Sequence, residues 1–187
     1  MLPCEVVPSR GPAVRLAPRA AHKREPDESG VASLPEHGPR LFRAAYALAG
    51  TRTDAEDLVQ ETYARVLGSR RGVRHVGNLP YLMRALRNTW IDWQRARAAR
   101  PSPASGEIVD WVIDGSADPQ AALDVQLAYD AMRSLSPPLR EAIAAVDVLG
   151  LSYKEAARSL RIRQGTLMSR LSRARDRVAD TLEGATT

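Results

Sequence analysis

Residues 151–178 read LSYKEAARSLRIRQGTLMSRLSRARDRV, and their spacing predicts a helix, a tight turn and a second helix. Ser152 with Glu155 three residues later is the S-x-x-E pattern, in which each side chain satisfies an orphan backbone N–H of the other residue. Ala156, Ala157 and Leu160 give the first helix a short apolar face, and Arg161 to Arg163 supply the turn. The second helix opens near Gln164. Its apolar positions, Leu167, Leu171, Ala174 and Val178, are spaced four, three and four, one stripe at the helical period. Thr166, Ser169, Arg170, Arg173 and Arg177 share a different arc. A helix that docks one stripe on its own domain and turns Arg, Ser and Thr outward offers donors to phosphates and base edges. A solvated basic helix in an ordinary bundle would carry the same arc. The short turn between two helices favours the DNA-reading alternative.

The remaining composition sets the class. With 187 residues the chain has room for one or two small domains, and two helical domains with separate small cores are expected rather than a single large one. Apolar residues make up 44% and charged residues 26%, the balance of a soluble globular protein, while 5% aromatics argues against a large sandwich or barrel. A formal net charge of +5 suits a polyanionic partner. The single cysteine, Cys4, excludes a disulfide framework within the chain, so a reducing cytosol is the expected compartment. His22, His37 and His75 lie far apart, without the neighbours of a metal motif. No apolar run is long enough to span a bilayer and no signal core opens the chain, so neither export nor membrane insertion is expected. Neither a nucleophile–base set nor a phosphate-binding glycine loop is present, so no enzyme, catalytic residue, metal or cofactor is expected.

Taken in order, residues 1–35 are Pro-rich and charged, an extension expected to be disordered. Arg40 to Ala49 reads as a helix with Leu41, Ala44, Ala45 and Leu48 on one face, ended by Gly50. Thr53 with Glu56 suggests a second capping box, opening a helix whose core face is Ala55, Leu58, Val59, Thr62, Val66 and Leu67. First-turn acids suit the helix dipole, which accounts for Asp54 and Glu56 but not for Asp57 and Glu61 farther along. An acidic patch on a basic protein suggests a second, basic partner. A glycine- and arginine-rich loop, 68–78, leads to a helix from Leu79 to about Ala99, capped by Asn78. At about 100° per residue, Leu82, Leu86, Thr89 and Trp93 fall together with Trp90 beside them, and Arg84, Arg87, Asn88, Ile91 and Arg95 fall opposite. Asn can read an adenine edge, Arg can hold a phosphate or guanine, and Trp90 could stack on an unpaired base. Residues 101–117 form an acidic linker with Glu107, Asp110 and Asp114. A helix then runs from Asp118 with Leu123, Leu127, Ala131 and Leu135 on one face. Another begins at Ser136–Pro137 and ends at Gly150, and residues 183–187 are a tail.

Three of these stretches, in this order, resemble a bacterial RNA polymerase sigma factor of the small, two-domain extracytoplasmic-function (ECF) group of the sigma-70 family. DAEDLVQETYARVL at 54–67 is similar to the family's region 2.2, YLMRALRNTWIDWQRAR at 81–97 to regions 2.3 and 2.4, and 135–175 to region 4. The resemblance implies an all-α fold: a region 2 bundle at 36–100, the linker, and a region 4 helix-turn-helix domain at 118–182. It implies that Asp57, Leu58, Gln60 and Glu61 grip the β′ clamp helices of core RNA polymerase, and that region 4 docks on the β flap. It implies that Arg84, Arg87, Asn88, Trp90 and Arg95 recognise and melt the -10 promoter element, with a flipped base captured. Thr166, Ser169, Arg170, Arg173 and Arg177 would read the -35 element. The acidic linker would pass through the polymerase cleft as a mimic of a nucleic-acid backbone. The resemblance further implies a cytoplasmic chain, monomeric when free and held by a cognate anti-sigma factor. The alternative is a stand-alone helix-turn-helix regulator that binds an operator by itself. Three positions depart from the family pattern: Arg161 in place of a turn glycine, Met168 in place of a basic residue, and Ser172 in place of a larger side chain.

Overall fold

The computed structural model describes residues 34–68, 75, 77–98 and 119–185. Three helices form an N-terminal bundle: α1 (Leu34–Ala49), α2 (Arg52–Leu67) and α3 (Leu79–Ala98). The C-terminal bundle comprises α4 (Pro119–Ser134), α5 (Pro137–Ile143) with a π-helical turn after it (Ala144–Val148), α6 (Tyr153–Leu160) and α7 (Gln164–Ala185). Most of the N-terminal extension and the whole linker expected at 101–117 lie outside the described residues, as do Arg70, Arg71 and Arg74.

The periodicity expects one buried face on α1, but Leu41, Ala44, Ala45, Tyr46, Ala47 and Leu48 are all buried to within 1%. A helix buried all round lies between two layers. One side of α1 meets α2 and α3, and the other meets α4, α5 and the π turn. The expected pair of separate small cores is therefore corrected: both helical domains are present, and their cores are continuous through α1. Each fully buried leucine in this seam contributes about 1.5–3 kcal/mol. Polar groups close the same seam. Arg140 of α5 donates to the Leu48 carbonyl at 3.1 Å, Arg40 of α1 donates to the Leu149 carbonyl, and the Ser159 hydroxyl donates to the Pro80 carbonyl at 2.8 Å. Tyr46 and Tyr129 meet edge to face at 5.1 Å. Burial pushes the Arg40 and Arg140 guanidiniums below the usual arginine range; Arg40 Nη2 and both Nη groups of Arg140 donate to carbonyl oxygens, while the buried Arg140 Nε has no partner among the described residues. Gly50 and Gly150 stand in the left-handed region (φ 89° and 75°), and each meets an arginine from the other bundle. A Cβ at Gly50 would lie 3.0 Å from Arg133 Nε, and one at Gly150 2.8 Å from Arg40 Nη2.

Several element boundaries differ from the sequence expectation for local reasons. α1 begins before Arg40 although Pro39 lies inside it, and the early turn is tied down by His37 Nε2, 2.9 Å from the Gly77 carbonyl oxygen. The cap of α2 is Thr51, which accepts from the Asp54 N–H at 3.2 Å. The capping box expected at Thr53 with Glu56 does not form, and Glu56 pairs with Arg52 at 2.8 Å instead. On α4 the buried residues are Ala128, Tyr129, Ala131 and Met132, with Leu135 buried just after its end, whereas Leu123 is 52% exposed. The Ser152–Glu155 capping box is present in both directions, with Ser152 N–H to Glu155 Oε2 at 2.9 Å and Glu155 N–H to Ser152 Oγ at 3.3 Å. Leu167, Leu171, Ala174 and Val178 form the buried stripe of α7 as spaced.

Candidate nucleic-acid interface

The helix-turn-helix turn closes by backbone geometry that arginine disfavours. Arg161 takes φ 55° and ψ 42°, alone among the described non-glycine residues in having positive φ. Its N–H donates to the Arg158 carbonyl at 3.3 Å and the Ile162 N–H donates to the Ala157 carbonyl at 3.0 Å, the paired bonds of a Schellman motif. A non-glycine residue held there costs about 1–3 kcal/mol. The turn keeps its geometry despite the missing glycine.

Beyond the turn, α7 projects its polar arc into solvent. Thr166, Ser169, Arg173 and Arg177 are exposed and Arg170 is half-buried. These five line an open groove of about 440 Å³, whose opposite wall is Ser136, Pro138 and Leu139 at the start of α5. The Ser169 hydroxyl donates to the Thr166 carbonyl at 3.0 Å, and Arg173 Nε donates to the Ser169 carbonyl at 3.3 Å, which lays the Arg173 stem along the helix. Among the described residues, Arg170, Arg173 and Arg177 have no carboxylate partner, whereas Arg52, Arg65, Arg87, Arg97, Arg133 and Arg175 each pair with one. Arg175, on the other side of α7, donates to Asp147 at 2.9 Å and 2.6 Å, and these bonds raise its pKa above the usual arginine range. Met168 and Ser172 face an adjoining groove with Tyr153, so these two departures lie beside the row and not within it.

The face of α3 expected to meet the -10 element is divided. Asn88 and Arg95 are exposed. Arg84 is half-buried. Arg87 reaches across the seam to Glu141 of α5, with Nε 2.8 Å from Oε2 and side-chain exposures of 22% and 6%. The geometry is that of a close ion pair rather than an aligned hydrogen bond. Trp90 is corrected: it is 1% exposed, inside the core with Leu82, Met83 and Leu86, and presents no ring face for a base. Trp93, which the helical projection centres on the core stripe, is half-exposed, and Arg97 lies 4.6 Å above its ring. Arg97 also donates to Asp54 at 2.8 Å, which holds the end of α3 against the start of α2.

On α2, Asp57, Gln60 and Glu61 are exposed as expected. Leu58 is corrected: at 2% exposure it belongs to the bundle core and cannot touch a partner in this arrangement. Glu61 accepts from Arg65 at 2.7 Å, and Arg65 also donates to Asp92 of α3 at 2.7 Å. Asp92 thus joins the acidic surface, which spacing within α2 alone could not reveal. Glu141 was also missed, because a glutamate beside Leu139, Ala142 and Ile143 carries no sign of a partner more than fifty residues earlier. Among the described residues there is no group of three or more His, Cys, Asp or Glu that could hold a metal, and no helix long and apolar enough to cross a membrane.

An acidic surface on one bundle and a helix-turn-helix with an arginine row lacking carboxylate partners on the other suit two partners of opposite charge. Comparison with known families agrees. Residues 35–100 match the profile of Sigma-70 region 2 and residues 126–178 that of Sigma-70 region 4. The chain belongs to the sigma-70 family of RNA polymerase sigma factors, and its relatives put it in the ECF group. It is 35% identical over 151 residues to the ECF RNA polymerase sigma factor SigE of Mycolicibacterium smegmatis, covering 79% of this chain and 59% of the relative. It is 32% identical over 142 residues to the ECF RNA polymerase sigma factor EcfG of Rhodopseudomonas palustris, covering 75% and 78%. A similar solved structure is the sigma factor RpoE of Bartonella quintana in complex with the anti-sigma factor NepR. It has a TM-score of 0.63 and 28% identity, over 82% of this chain and 93% of that one.

Proposed function

We propose that the chain is an alternative sigma factor: it binds core RNA polymerase and directs initiation at promoters that it reads through both bundles. The observation that carries this reading is the partition of charge. The α7 row presents arginines without carboxylate partners beside an open groove, while α2 and α3 present Asp57, Glu61 and Asp92 at a separate surface. The first suits a polyanion and the second a basic protein. In this reading the α2 surface meets the β′ clamp helices, the C-terminal bundle meets the β flap, and Thr166, Ser169, Arg170, Arg173 and Arg177 read the -35 element. Asn88 and Arg95 remain available for the -10 element, and Arg84 flanks them. An Arg87 placed on a phosphate cannot also hold Glu141, so the -10 contact assigned to it requires the two bundles to part at that point. The acidic linker would follow the polymerase cleft, and a cognate anti-sigma factor would hold the cytoplasmic, monomeric free chain. The similar Bartonella protein was solved with such a partner.

Two variants test the assignment of surfaces. Asp57→Ala with Glu61→Ala is expected to weaken binding to core polymerase several-fold while leaving thermal stability close to wild type, since exposed pairs contribute at most about 1 kcal/mol. Unchanged affinity in a titration of labelled chain against core enzyme would remove α2 from the interface. Arg173→Ala is expected to lose about 1–3 kcal/mol of -35 affinity and to relax the preference at one base pair. A holoenzyme footprint unchanged over that element would exclude Arg173 from base reading.

A further inference from the structure

The turn before α7 breaks two local rules, each time with an arginine. Arg161 stands in the left-handed region at the end of α6, where glycine is the low-cost residue. The Arg163 carbonyl accepts the Leu167 N–H at 3.0 Å, which puts Arg163 at the N-cap of α7. Ser, Thr, Asp or Asn would there bond the free N–H groups of the first turn. A cation at the positive end of a helix is unfavourable, and no acidic residue in the first turn of α7 offsets it. Positions where local preference is contradicted in this way are expected at functional sites.

The surroundings say what the function is. Arg158, Arg161 and Arg163 are all exposed, and among the described residues none has a carboxylate partner. Arg163 also extends the polar row: positions 163, 166, 170, 173 and 177 are spaced three, four, three and four. Arg163 is therefore in line with the row that lines the groove, and Arg161 stands two residues before it in the turn. Guanidinium groups match phosphate oxygens in geometry as well as charge, and an incoming polyanion would neutralise the repulsion that the folded chain tolerates.

We infer that Arg161 and Arg163 form a phosphate clamp at the N-terminal edge of α7, gripping the backbone of the duplex whose bases the helix reads. The clamp rests on the reading of α7 as the -35 helix. It supplies affinity without sequence preference and sets the register in which Thr166 to Arg173 meet the groove.

The test uses the full-length chain and a fluorescein-labelled, short mixed-sequence DNA duplex, with anisotropy followed over a salt titration. Arg161→Gly and Arg163→Ser each restore the locally preferred residue, so the thermal midpoint should hold or rise, and lost binding cannot be ascribed to lost structure. Each variant should lower the slope of log K against log salt by about 0.9, and the double variant by about 1.8. Affinity should fall by the same factor for duplexes of different sequence. Unchanged slopes for both variants, with a reduced slope for Arg173→Ala, would overturn the clamp and leave the -35 reading standing. Unchanged slopes for all three would overturn both.

Discussion

Trp90→Ala is expected to destabilise the chain by about 3–5 kcal/mol, the range for truncating a fully buried aromatic. At about 2–4 °C per kcal/mol for a chain of this size, the thermal midpoint should fall by roughly 6–20 °C. The indole is 1% exposed and shares the core with Leu82, Met83 and Leu86, so its removal opens a cavity in that core. Trp93→Ala should have a much smaller effect, because that ring is half-exposed and its main specific contact is the guanidinium of Arg97 at 4.6 Å. Thermal unfolding of both variants separates the two tryptophans. If Trp90→Ala kept the wild-type midpoint and lost only promoter melting, the indole would have to be placed on a base after all.

Arg87→Leu is expected to cost about 3 kcal/mol, the lower end of the range for removing one partner of a buried pair, because the Arg87 side chain is 22% exposed and partly solvated. The energy arises at Glu141, whose carboxylate is left buried, at 4% exposure, without its cation. Adding Glu141→Leu to the same chain should recover most of the loss. Apolar residues often replace a buried pair at little or no cost, and the coupling is read from the double-mutant cycle by urea unfolding. Additive single losses would show that the two side chains do not depend on each other and that the seam is held by its apolar contacts alone.

These two residues also mark where the sequence was legible and where it was not. Local signals carried far: the Ser152–Glu155 box, the α7 stripe and the exposed row from Thr166 to Arg177 all follow from spacing within a single helix. Helical projection placed Trp90 beside the core stripe and Trp93 at its centre. The order is reversed because α1, α2 and α6 all pack on α3, and tertiary packing, not the helical projection alone, sets where the centre of the buried face falls. Arg87 reads as a DNA contact when α3 is considered alone, since the helical projection turns it away from the core beside Arg84, Asn88 and Arg95. Only the packing of α5 against that bundle supplies Glu141. The continuous core through α1 was hidden for the same reason. Alanines at 44, 45 and 47 suit one buried face or two, and only the second layer distinguishes them. Leu58 is the opposite case: periodicity already places it on the core face of α2, and only the resemblance made it a polymerase contact, so its burial agrees with the spacing.

This chain is expected to confer promoter selectivity on core RNA polymerase. That expectation is tested most directly by reconstituting the full-length chain with core enzyme and measuring run-off transcripts from fragments of the genome that encodes it. The expected result is co-elution with core enzyme and transcripts that start at a common promoter pattern, absent with core enzyme alone and reduced by Asp57→Ala with Glu61→Ala. Failure to co-elute, with tight binding of an operator by the chain alone, would contradict it.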